Sequence, residues 1–257
     1  MDDYEFLVNR IVNEIYHNIL KQNVPPGINS TAMARKAIDR FLTTNETKLP
    51  ESIKNPIDKM LQKELLKSDI MDVSRLQSAN NPPIDIIKRD ITSLKIDCIV
   101  NAANAKGLGC FIPDHKCIDN IIHAKAGPRL REACQKALKG ERLKPGDAFL
   151  TMGYNLPSKF VIHTLGPIYN RLDEVDQCRQ LAKCYTNSLE ICKNKINSIA
   201  FCCISTGEFK FPKAIAAKIA IKSVREWLNK FKNYKIRVIF CTFSDEDYYL
   251  YQMLTKI

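Results

Sequence analysis

Residues 98–123 read Cys-Ile-Val-Asn-Ala-Ala-Asn-Ala-Lys-Gly-Leu-Gly-Cys-Phe-Ile-Pro-Asp-His-Lys-Cys-Ile-Asp-Asn-Ile-Ile-His. The segment opens on Cys98, Ile99 and Val100, an uninterrupted apolar run of the kind that forms a strand buried on both faces. It turns polar at Asn101 and Asn104, and Gly107 and Gly109 give the backbone freedom just beyond. Cys110, His115 and Cys117 then place three soft-to-borderline metal ligands within eight positions. A helix follows, with Ile118, Ile121 and Ile122 on its apolar side. Strand, polar loop, ligand cluster and helix in this order describe the crevice beyond the carboxyl end of a strand in an open α/β sheet.

Three protein ligands with no evident fourth is the pattern of a catalytic zinc, which keeps a position for water or substrate. The spacing alone fits equally well two free cysteines packed as small hydrophobes beside a loop histidine.

Outward from this stretch, the chain divides. Residues 1–80 read as a separate helical extension. Leu7, Val8, Ile11, Val12, Ile15 and Ile19 recur at helical spacing. Val24-Pro25-Pro26-Gly27 breaks that pattern. Ser30 or Thr31 can cap a second helix carrying Ala34, Ala37, Ile38, Phe41 and Leu42. A third is expected from about Pro56 to Leu66. These stripes read as a packing appendage to the main domain. Ser78-Ala79-Asn80-Asn81-Pro82-Pro83 reads as a linker.

Residues 81–257 alternate strands and helices. Strands are expected at 84–88, 97–100, 147–151, 160–164, 198–203 and 236–241. Helices are expected at about 115–125, 128–139, 175–193, 212–231 and 245–254. This grammar implies an α/β fold with a mostly parallel sheet covered on both faces.

The chain has 257 residues, 45% hydrophobic and 26% charged, ordinary values for a soluble globular protein. No apolar run reaches the length of a membrane span. Met1-Asp2-Asp3 lacks the basic and apolar regions of a secretory signal. With no such signal, the 10 cysteines read as reduced thiols in a cytoplasmic or nuclear compartment. Cys98, Cys202, Cys203 and Cys241 read as core positions. The formal charge is +11, yet the lysines are scattered and lack aromatic interleaving. This reads as a solvated surface whose field helps draw in a diphosphate, not as a nucleic-acid face. A zinc module for nucleic acid is the reading the charge would otherwise motivate.

Several polar residues carry paired readings. Asp90, at the end of the first sheet strand, can accept from an exocyclic amine or cap the turn at 91–94. Ser205-Thr206-Gly207 lies between a buried strand and a helix opening at Pro212. Such a loop can point N–H groups at an anion, or form an ordinary turn. Asn104 can hold two hydroxyls or serve as a turn residue. Asp119 can activate water, grip a sugar, or complement the helix N-terminus. Phe243 can stack on a purine or fill the core. His123, on the same helical face as Asp119, reads as supporting or structural, His163 as a core histidine, and His17 as helix surface.

The motifs Arg89-Asp90-Ile91-Thr92, Asn101-Ala-Ala-Asn104, Ile118-Asp-Asn-Ile-Ile-His123 with Ala126-Gly127, and Ile204-Ser-Thr-Gly-Glu-Phe-Lys-Phe-Pro212 together resemble the macrodomain family. The likeness covers residues 84–257. The glycine run usual in the family's first loop is replaced here by Gly109-Cys-Phe-Ile-Pro-Asp-His-Lys-Cys117, which resembles the zinc-containing branch that removes ADP-ribose from proteins.

That resemblance implies a three-layer α/β/α macrodomain with a mixed, mostly parallel sheet and an N-terminal helical extension. It implies zinc on Cys110, His115 and Cys117, and catalytic roles for Asn104 and Asp119. ADP-ribose would be bound by Asp90, Ile91, Asn104, Ser205, Thr206, Gly207, Glu208, Phe209 and Phe243. The partners implied are ADP-ribose and mono-ADP-ribosylated proteins, and the reaction is zinc-dependent hydrolysis of the sugar–protein bond. A non-catalytic ADP-ribose reader and an O-acyl-ADP-ribose deacylase would use the same pocket. Lys210 stands where the family often has glycine.

Overall fold

The computed structural model describes residues 2–76, 84–193 and 195–255. The expected linker at 78–83 and the boundary at 80/81 lie outside them. The N-terminal helices are α1 (Asp3–Glu14), continued as a π-turn at Ile15–Ile19, α2 (Thr31–Thr44) and α3 (Glu51–Leu66). Ser30 caps α2 by accepting from the Met33 N–H. Helix α3 begins five residues before the expected start at Pro56, which lies inside it. The ring removes one helical hydrogen bond, but Ile53 and Ile57 on either side of it are buried with Ile11, Ile38 and Met60. Packing outweighs the local break.

The sheet has six strands: β2 (Ile84–Lys88), β4 (Cys98–Ala102), β5 (Ala148–Met152), β6 (Phe160–Thr164), β7 (Ser198–Phe201) and β8 (Arg237–Thr242). Their spatial order is β2-β8-β7-β4-β6-β5, all parallel except β5 on β6. Two-residue strands β1 (Met71–Asp72) and β3 (Leu94–Lys95) form a separate parallel pair. They are too short to carry a period-2 signal. Strand β7 ends at Phe201, two residues before its expected end, and leaves Cys203 half-buried in the following loop.

Helices α4 (Ile118–Ala126), α5 (Pro128–Leu138), α6 (Glu174–Cys192), α7 (Lys213–Lys230) and α8 (Asp245–Thr255) cover the sheet. The main core is apolar and aromatic, with Tyr185, Phe201, Phe240 and Tyr251 ring against ring. From β4 the chain leaves for β6 and β5 on one side and returns to β7 and β8 on the other. The switch point, where an open sheet leaves a crevice, thus falls between β4 and β7.

The helical extension docks on α4 and α5. Lys54, 3% exposed, reaches Glu132 at 2.8 Å and Glu51 at 2.8 Å. Arg129 pairs with Asp58 and Glu51. Any side chain at Gly127 would meet Leu61 at 2.9 Å, so glycine allows the two units to close. No helix among the described residues is long and apolar enough to cross a membrane.

Candidate active site

The carboxyl ends of four adjacent parallel strands supply the candidate residues. In spatial order, β2 leads to Asp90 and Ile91, β8 to Phe243, β7 to Ser205–Phe209, and β4 to Asn104 and the cysteine loop. Three strand spacings separate β2 from β4, on the order of 14 Å.

Asp90 is exposed and its Oδ1 accepts from the Thr92 N–H at 2.9 Å and hydroxyl at 2.7 Å. It thus caps the short 3-10 turn Ile91–Ser93. Ile91 is buried in the core. Phe243 is 80% exposed, so its alternative reading as a core aromatic is wrong; the ring projects past the strand end.

Ser205 takes a left-handed φ of +66° and buries its hydroxyl where it finds no partner in the protein. The left-handed turn lets the chain reverse, with the Phe211 N–H returning to the Ser205 carbonyl at 2.9 Å. Gly166, after β6, is the close neighbour: a Cβ there would lie 2.0 Å from Ser205 Oγ. Gly207 faces open space, and Thr206 is half-buried. Phe209 packs on Ala103, Leu143 and Leu165 beside the β4 loop. Its carbonyl accepts from Tyr169.

The β4 loop is tightly tied. Asn104 Oδ1 accepts from the N–H groups of Lys106 and Gly107, and Nδ2 donates to the Gly109 carbonyl at 2.9 Å and Asp119 Oδ2 at 3.1 Å. Both donors and both acceptor positions of the amide are filled. The turn reading and contact with Asp119 therefore coexist.

Cys110 Sγ, His115 and Cys117 Sγ bring their ligand atoms within 4.8 Å of one another. Cys110 Sγ stands 3.3 Å from His115 Nδ1. Cys117 caps α4 by accepting from the Asn120 N–H, while Asn120 Nδ2 donates to the carbonyls of Ile112 and His115 at 3.2 and 2.9 Å. Asn120 thus cinches the loop across its base. Two thiols and an imidazole suit zinc, which takes such N/S donors, with fewer than the four of a closed structural site. Burial, joined by the neighbouring Cys110 thiol, pushes the Cys117 thiol up to about 12. A cation there would reverse this preference, because coordinated thiols are deprotonated.

Asp119 opens α4 two residues after Cys117 and is 4% exposed. Burial pushes its carboxyl up to about 6, opposed by the Asn101 hydrogen bond and by Arg131. Asn101 is fully buried on β4 and donates to Asp119 Oδ1 at 2.8 Å and to His163 Nδ1 at 3.2 Å. His163 Nε2 then faces the Thr151 hydroxyl at 2.9 Å. That network assigns the Nε2–H tautomer. A second cluster, His123, Cys134 and His163, also lies within 4.8 Å, but both His163 nitrogens are already engaged in the protein. His123 Nε2 approaches Asp119 Oδ1 at 3.7 Å.

Three contacts have no mark in the sequence. Arg131, on α5, donates to the Leu108 carbonyl in the β4 loop and to the Leu42 and Asn45 carbonyls of the extension. Its guanidinium also stacks 4.4 Å from the Phe111 ring centre. Asp114, at the loop tip with φ +60°, pairs with Arg40 of α2 at 3.2 Å. Glu208 Oε1 lies 3.5 Å from His115 Nε2. Each joins residues far apart in the chain, so no local pattern announces it.

The Macro domain family profile matches residues 100–220. The protein-ADP-ribose hydrolase of Staphylococcus aureus strain MSSA476 is 44% identical over 200 residues, spanning 76% of this chain and 74% of that one. The chain belongs to the macrodomain family. Among solved structures, the Oceanobacillus iheyensis macrodomain with ADP is 40% identical, with TM-score 0.61, covering 67% of this chain and 90% of that one. The Trypanosoma brucei macrodomain in complex with ADP-ribose is 28% identical, with TM-score 0.66, covering 84% of this chain and 94% of that one. The macrodomain fold with its mixed, mostly parallel sheet is the architecture described above.

Proposed function

We propose that this macrodomain is a zinc-dependent hydrolase that removes mono-ADP-ribose from modified protein side chains. One observation carries the reading: Cys110, His115 and Cys117 converge beside the buried carboxylate of Asp119, at one end of a row of nucleotide-type loops. The kinship with a named protein-ADP-ribose hydrolase supports the substrate class.

In this reading ADP-ribose lies along the carboxyl edge of the sheet. The adenine sits by Asp90 and Phe243, with the Ile91 N–H as a second contact. The diphosphate meets the N–H groups of the 205–208 loop. Phe209 and Asn104 border the distal ribose. Asn104 already spends both amide hydrogens, so ribose binding exchanges its Gly109 bond for a sugar hydroxyl.

Cys110, His115 and Cys117 would hold zinc, which supplies Lewis acidity at the anomeric end of the ligand. Asp119 faces that end with Asn101 and Asn104 fixing one oxygen each. It takes a proton from water as the water oxygen bonds to the anomeric carbon. The bond from that carbon to the protein side chain breaks, and the departing side chain takes up a proton.

Incubation with mono-ADP-ribosylated proteins modified on acidic, serine or arginine residues tests this. Release of free ADP-ribose, lost in Asp119→Asn, is the expected result. Tight ADP-ribose binding with no release on any linkage would instead make the protein a reader. Release confined to acylated ADP-ribose would make it a deacylase.

A further inference from the structure

The 205–208 loop is placed to meet a diphosphate, yet it contains a carboxylate. Glu208 would repel such a ligand if it faced it. Instead its Oε1 lies 3.5 Å from Nε2 of His115, across from the neighbouring strand's loop. The other ring nitrogen of His115 faces inward, 3.3 Å from Cys110 Sγ. A neutral imidazole carries one N–H, and the nitrogen that binds a metal must be bare. The two contacts therefore divide the ring into a donor side and a ligand side.

We infer that Glu208 is a positioning residue for the metal centre, accepting the Nε2–H of His115 so that Nδ1 is the ligand atom. The inference rests on the zinc reading given above. Its chemistry is that of a carboxylate orienting a metal-bound histidine, which fixes the tautomer and raises the basicity of the ligand nitrogen. It gives the Glu208 side chain a role apart from ADP-ribose, which would meet only the backbone N–H of this residue. It also ties the loop after β7 to the loop after β4, joining the diphosphate end of the cleft to the cation.

The full-length protein and its Glu208→Ala and Glu208→Gln variants, each titrated with zinc against a chelator of known affinity, test this. Loss of the carboxylate is expected to weaken zinc binding roughly 10- to 100-fold. Glu208→Gln retains an acceptor oxygen and is expected to lose less. Nitrogen-15 spectra of the zinc-loaded wild type are expected to report His115 bound through Nδ1 and protonated at Nε2. Glu208 is 67% exposed, so neither variant threatens folding. If the wild type binds zinc and Glu208→Ala binds it equally well, or if His115 is metal-bound through Nε2, the inference is overturned while the zinc reading stands. A wild type that binds no zinc overturns both.

Discussion

Asn101 and Asp119 share a hydrogen bond of 2.8 Å that joins a fully buried residue of β4 to the first turn of α4. It fixes one carboxylate oxygen, and Asn104 holds the other at 3.1 Å. The carboxylate nonetheless stays poor in compensation for its burial, as its upward shift to about 6 records. Asp119→Asn removes a buried charge, and the Asn101 Oδ1 that lacks a partner can turn to accept from the new amide. Turnover is expected to fall by ~10²–10⁴, the usual contribution of a general base. The melting temperature is expected to hold or rise. Single-turnover ADP-ribose release and thermal denaturation, run side by side, check both outcomes.

Arg131 is the strap between the helical extension and the loop that carries the cysteines. Arg131→Ala leaves the Leu42, Asn45 and Leu108 carbonyls without their donor and frees Phe111. The expected loss is about 2 kcal/mol or more, from hydrogen bonds with a charged donor. Lysine restores the charge but not the planar fork that reaches three carbonyls, so Arg131→Lys is expected to recover only part of it. Urea titration of the two variants measures the difference.

Much of this candidate site is legible in the sequence. The cysteines and His115 lie within one short loop, so spacing alone brings them near each other. The apolar runs of β4 and β7 and the prolines and glycines around them located the crevice. What stayed hidden was long-range. Arg131 and Glu208 act on the loop from other elements, and a charged residue on a helix or a distant loop carries no sign of its partner. The start of α3 was missed because Pro56 is a local breaker, whereas the burial of Ile53 and Ile57 is a tertiary fact. Asn104 showed the limit of pairing a functional reading against a turn reading, because one side chain serves both the turn and Asp119.

The two buried histidines set the response to acid. Burial holds His163 down to about 3 and His123 well below its ordinary value, with His163 and Arg131 adding to the effect on His123. Both stay neutral in the folded chain but take protons at ordinary pH once unfolded. Stability is therefore complete above about 6.5 and is lost as pH falls below it, by up to ~1.4 kcal/mol per pH unit for each histidine. Asp119 acts in the opposite sense, since the folded state takes its proton first as pH falls through about 6. Two histidines against one carboxylate leave a net loss on acidification. Denaturant unfolding at pH 7, 6 and 5 is expected to show it, and His163→Gln is expected to flatten the slope.

Gly166 is required by close approach and not by a special φ. A methyl group there would lie 2.0 Å from Ser205 Oγ and 2.8 Å from Ile204. Gly166→Ala must displace the Ser205 and Ile204 side chains and crowd the turn at Ser205, which already holds a left-handed conformation. ADP-ribose affinity is expected to drop by about tenfold or more, since a misplaced anion loop loses at least one charge-assisted hydrogen bond. Calorimetric titration with free ADP-ribose measures it, and an unchanged affinity would show that ligand binding does not depend on close packing of Gly166 against Ser205.

Hydrolysis as proposed needs a cation on Cys110, His115 and Cys117. The most direct test of that requirement is metal content measured together with ADP-ribose release, before chelation, after chelation and after zinc is returned. About one zinc per chain is expected, as one three-ligand site requires, with activity lost on its removal and recovered on its return. A chelated, metal-free protein that releases ADP-ribose at the full rate would contradict it.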